Sequence, residues 1–146
     1  MRTAPRALVV VALLVPGISA EADRAADEKA IRAVWDQIVA TFNHHDAKGW
    51  AAVFDEAYES WTGARKGPAA EEKYMAGYFG RNKEVRYKEL GPTGLSFLTL
   101  DVAIYKTRGH VSSEADGSSY DLLEAWVFVR RAKWRVSTYF LRPLTK

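Results

Sequence analysis

Glu59 is the carboxylate best placed for proton-transfer chemistry in this sequence. It lies in residues 57–62, a short run closed by Gly63 that predicts a strand. If the strand turns Glu59 toward an apolar pocket, burial raises the pKa of the carboxyl and suits it to general acid or base work. If the strand turns the other way, Glu59 is simply solvated. The same alternative holds for its neighbours Tyr58 and Trp61.

Tyr74 and Tyr78 are the best candidates for hydrogen-bond donors in such a pocket. They are four residues apart, so on a helix they lie one turn apart on the same face. Buried tyrosine hydroxyls usually find a polar partner, which makes them useful anchors for a ligand. Packing in the core is the alternative interpretation.

The histidines do not form a metal site. His44 and His45 are adjacent, and adjacent helical residues point about 100° apart, so the two rings cannot share an ion on one helix face. No cysteine is present and no third ligand stands at a recognisable spacing. A polar turn at a helix end is the favoured interpretation, and His110 stands alone near a strand end. No cofactor is expected.

The last third of the chain predicts a β-hairpin. Two runs rich in aromatic and branched residues, 120–130 and 133–141, are separated by two residues. Neither face of this hairpin is polar, so both faces must be covered. We expect the helices to cover one face. The other face then packs against a second copy of the chain in a homodimer, through Trp126, Phe128 and Tyr139.

Glu124 is predicted to lie away from the pocket. Pairing Val111 with Ser119 across the preceding turn places Lys106 opposite Glu124, where a cross-strand ion pair would satisfy the carboxylate. The same pairing sends Tyr105 and Thr107 to the inner face.

Three helices are expected before the strands. Apolar residues recur at helical spacing over residues 31–42, with Asp27 as N-cap. Asp46 can cap a second, shorter helix, and Gly67–Pro68 opens a third because proline is tolerated in the first helical position.

The pattern changes to period two after residue 84. Residues 91–94 are expected to break the first strand, and residues 95–111 form one long strand or two strands joined by a bulge near Asp101. Helices followed by strands predict an α+β fold.

Residues 1–22 are typical of a secretory signal peptide. Arg2 and Arg6 precede an unbroken apolar run over residues 7–15, and cleavage is predicted near Ala20–Ala22. Residues 23–146 would then form one secreted or periplasmic domain. The apolar run is shorter than the roughly 20 residues that span a bilayer, so no stable membrane association is expected after cleavage. An uncleaved anchor is the alternative.

The charge of the chain does not indicate a nucleic-acid partner. The formal net charge is +3, and acidic and basic residues are interspersed along the sequence. Two of the basic residues belong to the predicted signal peptide.

Several short patterns are shared with a known superfamily. They are the helical pattern of residues 31–42, the junction Phe42-Asn-His-His-Asp46, Trp50-x-x-x-Phe54-Asp55, the glycine-punctuated link into the third helix, Leu98-x-x-Asp101-Val-Ala-Ile104 and Trp134-Arg-Val136. With these the chain resembles the SnoaL-like branch of the nuclear-transport-factor-2-like (NTF2-like) superfamily. The resemblance implies a curved antiparallel sheet wrapped around N-terminal helices, forming a cone that encloses an apolar pocket and often pairs as a homodimer.

The cone implied by the resemblance, together with helical spacing and the predicted strand pairing, gives a set of expected pocket residues. Those expected to line the cone are Trp35, Trp61, Tyr74, Tyr78, Tyr105 and Thr138. In the isomerase branch of the superfamily an acid on the first strand acts as general base. The matching position here is Trp61, which cannot accept a proton, and Glu59 stands two residues earlier. Steroid-isomerase chemistry is therefore disfavoured.

Two hypotheses for function remain. The first is an exported pocket protein for a small apolar molecule, with Glu59 as base and tyrosines as donors in an isomerisation, dehydration or cyclisation. The second is a non-catalytic homodimeric module for binding or interaction. Fold alone does not choose between them.

Overall fold

The computed structural model describes residues 17–144 and shows helices followed by strands. The helices are α1 (Gly17–Asn43), α2 (Ala47–Ala51) and α3 (Gly67–Arg81). The strands are β1 (Val85–Phe97), β2 (Val102–Ser113), β3 (Ser119–Arg130) and β4 (Trp134–Leu144). This order confirms the predicted α+β class. No helix among the described residues is both long enough and apolar enough to cross a membrane.

The four strands form one antiparallel sheet in the order β1-β2-β3-β4. Its inner face and the helices share a single hydrophobic core. From α1, Ile31, Trp35 and Ile38 are buried, because apolar residues at this spacing form one stripe along a helix. From the sheet, Trp126 and Phe128 meet that stripe as part of the same cluster.

Two irregularities in β1 curve the sheet. The pairing with β2 shifts between Glu89 and Gly91 and again between Pro92 and Gly94. Gly91 and Gly94 have φ of 143° and 151°, which residues with a side chain rarely adopt. The predicted strand break at residues 91–94 is therefore wrong, because the glycines bend the strand without ending it. The true turn is at residues 98–101, between β1 and β2, in place of the predicted long strand or bulge.

Helix α1 begins earlier than the sequence predicted. It starts at Gly17, so Asp27 is not an N-cap. Asp27 instead accepts hydrogen bonds from Arg130 Nη1 at 2.7 Å and Trp134 Nε1 at 2.8 Å, which ties α1 to the end of the β3–β4 hairpin. The predicted signal peptide lies largely in residues 1–16, outside the described residues, and remains a prediction.

The other two helices begin where the sequence placed them. The Asp46 side chain accepts a 2.8 Å hydrogen bond from the backbone N–H of Gly49 and caps α2. Helix α3 starts at Gly67 with proline in its first turn. Residues 57–62, in contrast, do not form a regular strand, and a single bridge pairs Glu59 with Lys66.

The register of the β3–β4 hairpin differs from the predicted one. The loop holds three residues, so Arg130 pairs with Trp134 and not with Lys133. Ser137 is then left unpaired in a bulge, after which Trp126 pairs with Tyr139. A shift of one residue exchanges the faces of a strand.

The predicted dimer face is therefore wrong. Trp126 and Phe128 are buried on the inner face, and Tyr139 packs there against Trp126 with ring centroids 4.5 Å apart. Thr138 pairs with Val127, between the buried positions of β3, and so belongs to the outer face.

The register between β2 and β3 is also offset by one residue. Thr107 stands opposite Glu124, and Lys106 stands opposite Ala125. The predicted Lys106–Glu124 ion pair does not form. Tyr105 and Thr107 do point inward as expected, and both are buried.

Candidate functional site

A cavity of about 210 Å³ lies between the inner face of the sheet and helices α1 and α3. Nine of the sixteen described residues that line it are aromatic, and one is charged. The aromatic residues are Trp35, Phe42, Trp50, Tyr74, Tyr78, Tyr87, Tyr120, Trp126 and Tyr139. An apolar cavity of about 150 Å³ is enough for benzene. This cavity therefore suits a molecule of one ring with a few additional atoms.

Glu124 is the charged residue of the lining. Its side chain projects from the middle of β3, and the residue is only 5% exposed. Tyr87 Oη donates a 2.7 Å hydrogen bond to Oε1, and Trp126 Nε1 donates a 2.9 Å hydrogen bond to Oε2. Burial raises the pKa of Glu124, and the nearby Glu89 adds to that rise, although both hydrogen bonds oppose it. The carboxyl can thus hold or accept a proton closer to neutral pH than an exposed glutamate can.

The space for this carboxyl comes from Gly109 on β2. A Cβ at position 109 would overlap Glu124 Oε1 and the ring of Tyr87. The pairing of β2 with both β1 and β3 brings these three residues together. A glycine inside a strand often marks such a close approach, and Gly109 is the sequence signal for it.

Glu89, on β1, is a second carboxylate on the inner side of the sheet. It accepts hydrogen bonds from Tyr105 Oη at 2.6 Å and Thr107 Oγ1 at 3.1 Å, and Arg32 Nη1 lies 3.3 Å away. Burial alone would raise the pKa of Glu89, but these hydrogen bonds and the Arg32 charge lower it below its usual value. Glu89 therefore stays ionised. It does not line the main cavity.

Glu71, on α3, is fully buried and fully paired. Its two oxygens accept hydrogen bonds from Trp50 Nε1, Tyr58 Oη and Tyr139 Oη, and Arg65 Nε lies 2.7 Å from Oε2. Trp50 and Tyr139 also line the cavity. Glu71 therefore holds the cavity wall in place.

Three half-exposed side chains form the rim of the cavity. Tyr74, Tyr120 and Leu141 are 43%, 41% and 48% exposed, whereas Trp35 and Trp126 are buried deep inside. The Arg65 guanidinium lies 3.9 Å from the centroid of the Tyr74 ring, a cation–π contact that fixes one side of the rim.

The hydroxyl of Tyr78 is a neutral donor at physiological pH. Burial and the neighbouring Tyr120 raise the pKa of Tyr78 to about 12, so the phenol keeps its proton. Tyr78 can therefore donate a hydrogen bond to a bound molecule, as the sequence suggested.

The structure brings together only part of the predicted pocket. Trp35, Tyr74 and Tyr78 line the cavity. Trp61 is 75% exposed and packs on Phe140, and Thr138 lies on the outer face. Tyr105 is buried, but its hydroxyl donates a hydrogen bond to Glu89 outside the cavity.

Glu59 is not in the cavity. Its side chain is 53% exposed and lies 3.4 Å from Lys66 Nζ in a surface ion pair. The region around it is a turn and not a strand with an inward face, so the solvated alternative is the correct one. Trp126 and Tyr139, expected at a dimer interface, are cavity residues instead.

Among the side chains that the structure describes, no group of three from His, Cys, Asp or Glu could hold a metal. His45 has a positive φ of 56° at the end of α1, and its Nε2 lies 2.9 Å from the carbonyl oxygen of Val85. His110 Nδ1 lies 2.7 Å from Asp121 Oδ1 across β2 and β3. Both histidines have local structural partners.

The sequence matches no protein-family model and, at a significant level, no curated protein. Solved structures do match the fold. A domain of unknown function with a cystatin-like fold from Nostoc punctiforme is 21% identical, with a TM-score of 0.73 over 83% of this chain and 79% of that one. An NTF2-like protein with a cystatin-like fold from a Novosphingobium aromaticivorans strain is 18% identical, with a TM-score of 0.72 over 89% and 90%.

A third similar structure is an enzyme. A hexachlorocyclohexane dehydrochlorinase of type 2 (LinA) is 16% identical, with a TM-score of 0.64 over 86% of this chain and 93% of that one. At these identities the similarity shows the fold alone. The chain has the NTF2-like, or cystatin-like, cone fold, as the resemblance implied.

Proposed function

We infer that this chain, which has the NTF2-like cone fold, is a pocket protein. It binds a small, largely apolar molecule and transfers a proton to or from it through Glu124. One observation carries this inference: the charged residue of an aromatic cavity is a buried carboxyl with a raised pKa. Such a group is suited to general acid or base catalysis near neutral pH.

The roles of the neighbouring residues follow from their bonds. As a base, the Glu124 carboxylate takes a proton from a carbon atom of the bound molecule and becomes the neutral acid. It returns the proton to another atom when it acts as acid. Tyr87 and Trp126 hold the carboxyl in place throughout, because each donates to one of its oxygens. The reaction class is an isomerisation, dehydration, elimination or cyclisation.

A structure of the same fold supports this class of reaction. One similar protein is a hexachlorocyclohexane dehydrochlorinase, and loss of hydrogen chloride from a carbon skeleton requires a proton to leave carbon. The substrate of that protein is not carried over to this chain. Glu124, and not Glu59, is the residue that the geometry offers as the acid or base.

Proton transfer can be tested without knowing the natural substrate. Cyclohexanone is a one-ring molecule with exchangeable protons next to its carbonyl, and NMR follows their replacement by deuterium in D₂O. We expect the wild-type protein to accelerate this exchange and Glu124→Gln to lose about 100-fold or more of the acceleration. Equal rates for the two proteins, with cyclohexanone bound to both, would exclude Glu124 as the acid or base.

We further propose that the protein is exported and forms a homodimer. The N-terminal pattern supports export, and N-terminal sequencing of protein recovered outside the cytoplasm tests it. The dimer is supported by apolar side chains on the outer face of the sheet, among them Leu123, Val127 and Phe140. This is the face opposite to the one that the sequence suggested.

A further inference from the structure

Three carboxylates lie on the inner side of the fold, and their partners differ. Glu71 has Arg65 at 2.7 Å, and Glu89 has Arg32 at 3.3 Å. Glu124 has no lysine, arginine or histidine within 4.0 Å among residues 17–144. Its two hydrogen-bond donors, a phenol and an indole, are neutral. Of these three carboxylates, Glu124 is therefore the one with no positively charged partner among the described residues.

An uncompensated buried carboxylate is costly, so the empty cavity favours its neutral form. A cation that enters beside the carboxylate offsets this cost. A bound cation can take the place of the proton, and the pair then has no net charge. A neutral ligand does not compensate the charge of the carboxylate.

The rest of the lining is also suited to a cation. Aromatic faces attract ammonium groups through the ring quadrupole, and cages of several rings recognise quaternary ammonium ions. Around Glu124, Trp35 and Trp126 lie with ring centroids 5.3 Å apart, and Tyr139 stacks on Trp126 at 4.5 Å. The cavity thus combines nine aromatic side chains with one carboxylate.

We propose that the molecule bound in this cavity is an organic cation, a small amine or quaternary ammonium compound, whose positive charge pairs with Glu124. This inference rests on the proposed function, since it assigns the ligand of the same cavity. It adds the chemical class of the ligand: one positive charge on an otherwise apolar body of about one ring in size.

A matched pair of probes tests the charge separately from the shape. Choline and 3,3-dimethylbutan-1-ol have the same shape, but only choline carries a charge. We expect calorimetry or NMR titration to show that choline binds the wild-type protein at least about 10-fold more tightly than the neutral alcohol at pH 7.5. In Glu124→Gln we expect the two affinities to become similar, with binding of the alcohol retained.

The dependence of affinity on pH gives a second measurement. Choline has a permanent charge, so its binding should strengthen as pH rises through the pKa of Glu124, whereas binding of the alcohol should stay constant. The titratable groups around Glu124 are Tyr87 and Glu89 on β1, Tyr120 on β3, Tyr139 on β4, and Tyr74 and Tyr78 on α3. Glu89 has a lowered pKa, and the pKa values of Tyr78, Tyr87 and Tyr139 are raised, so these four keep their charge state between pH 5 and pH 8.

Each outcome decides something different. If the alcohol binds as tightly as choline, or more tightly, the cation assignment is wrong and the pocket function stands. If choline keeps its advantage in Glu124→Gln, the cation is held elsewhere and the assignment to Glu124 is wrong. If neither compound binds the cavity at millimolar concentration, the cation assignment is wrong, and deuterium exchange of cyclohexanone decides the proposed function separately.

Discussion

Gly109 on β2 leaves the space that the carboxylate of Glu124 on β3 occupies, since a Cβ at position 109 would overlap Oε1 of that carboxylate. Gly109→Ala should therefore displace Glu124 and Tyr87 from their hydrogen bond. We expect a loss of about 1–3 kcal/mol in the free energy of unfolding, typical of overpacking. Urea denaturation measures it, and ligand binding should weaken in the same variant.

Gly80→Ala is the matched control for this substitution. Gly80 lies in α3, is exposed, and has open space where a Cβ would stand, with no neighbouring atom within 4 Å. Alanine in a helix should stabilise the protein by about 0.5–1 kcal/mol relative to glycine. If both alanine variants have the same effect on stability, the close contact at position 109 is not the cause.

The stability of the protein should depend on the protonation of Glu124. Burial raises the pKa of Glu124 above its usual value of 4.5, so the folded state binds a proton more tightly than the unfolded chain does. This contribution is fully present below pH 4.5 and is lost as pH rises through the folded pKa. In the wild type, the free energy of unfolding should therefore decrease between about pH 4.5 and pH 8 as Glu124 ionises. In Glu124→Gln we expect this decrease to be absent. Denaturation at several pH values measures this difference.

Glu89 should change the free energy of unfolding in a separate pH range and in the opposite direction. Its lowered pKa stabilises the fold above the unfolded value of 4.5, and that contribution is lost as pH falls through the folded pKa. Glu89→Gln should therefore change the stability profile below about pH 4.5. A Glu124→Gln profile that runs parallel to the wild type above about pH 4.5 would contradict the assignment for Glu124.

Tyr87→Phe should raise the pKa of Glu124 further. The variant keeps the ring and removes the hydroxyl that donates to Glu124 Oε1, a hydrogen bond that lowers this pKa. A ¹³C NMR titration of the glutamate carboxyl carbons measures the shift. Tyr105→Phe is the control, because it removes a donor to Glu89 and should raise the pKa of Glu89 instead. Glu124 titrating at an unchanged pH in Tyr87→Phe would rule out this hydrogen bond in solution.

Arg65→Met should destabilise the protein strongly. It leaves the fully buried Glu71 without its cation, and breaking a buried pair from one side costs about 3–5 kcal/mol. Lys66→Met, at the next position, removes only the exposed ion pair with Glu59 and should cost less than about 1 kcal/mol. Thermal or chemical denaturation compares the two. Similar losses would show that Arg65 is not needed by Glu71.

Leu123→Glu should convert the proposed dimer to a monomer. Leu123 is on the outer face of β3, where a charge would have to be buried against the second copy. Sedimentation velocity at micromolar concentration measures the change. Leu100→Glu is the control, since Leu100 is exposed in the turn between β1 and β2. A wild-type protein that sediments as a monomer would exclude the dimer.

The sequence was sufficient for the class of fold and for most helix boundaries. Periodicity located the apolar face of α1, and local chemistry at Asp46 and at Gly67 located the starts of α2 and α3. These signals are local, so they can be recognised without knowledge of the tertiary structure.

The functional site depended on register, which local signals do not determine. A three-residue loop and the bulge at Ser137 give the β3–β4 hairpin a different register from the predicted one. The pairing of β3 with β2 is also offset by one residue, so Thr107 and not Lys106 stands opposite Glu124. Each shift exchanges inward and outward positions. These shifts turn Glu124 into the cavity, whereas Glu59 lies outside it because residues 57–62 do not form a regular strand. A glutamate between apolar residues of a strand, with Gly109 on the neighbouring strand, was the available clue.

The hydrogen bonds between Asp27 and the β3–β4 hairpin set the latest residue at which a processed polypeptide could begin and still keep them. Removal of residues 1–22 would leave both Asp27 and Arg24 in place, and the Arg24 guanidinium lies 3.9 Å from the ring centroid of Phe97. Trimming past Asp27 would take the acceptor away from Arg130 and Trp134 and free the start of α1 from the sheet. If residues 1–22 are removed as predicted, further trimming therefore has a margin of only a few residues before the contacts of Asp27 are lost.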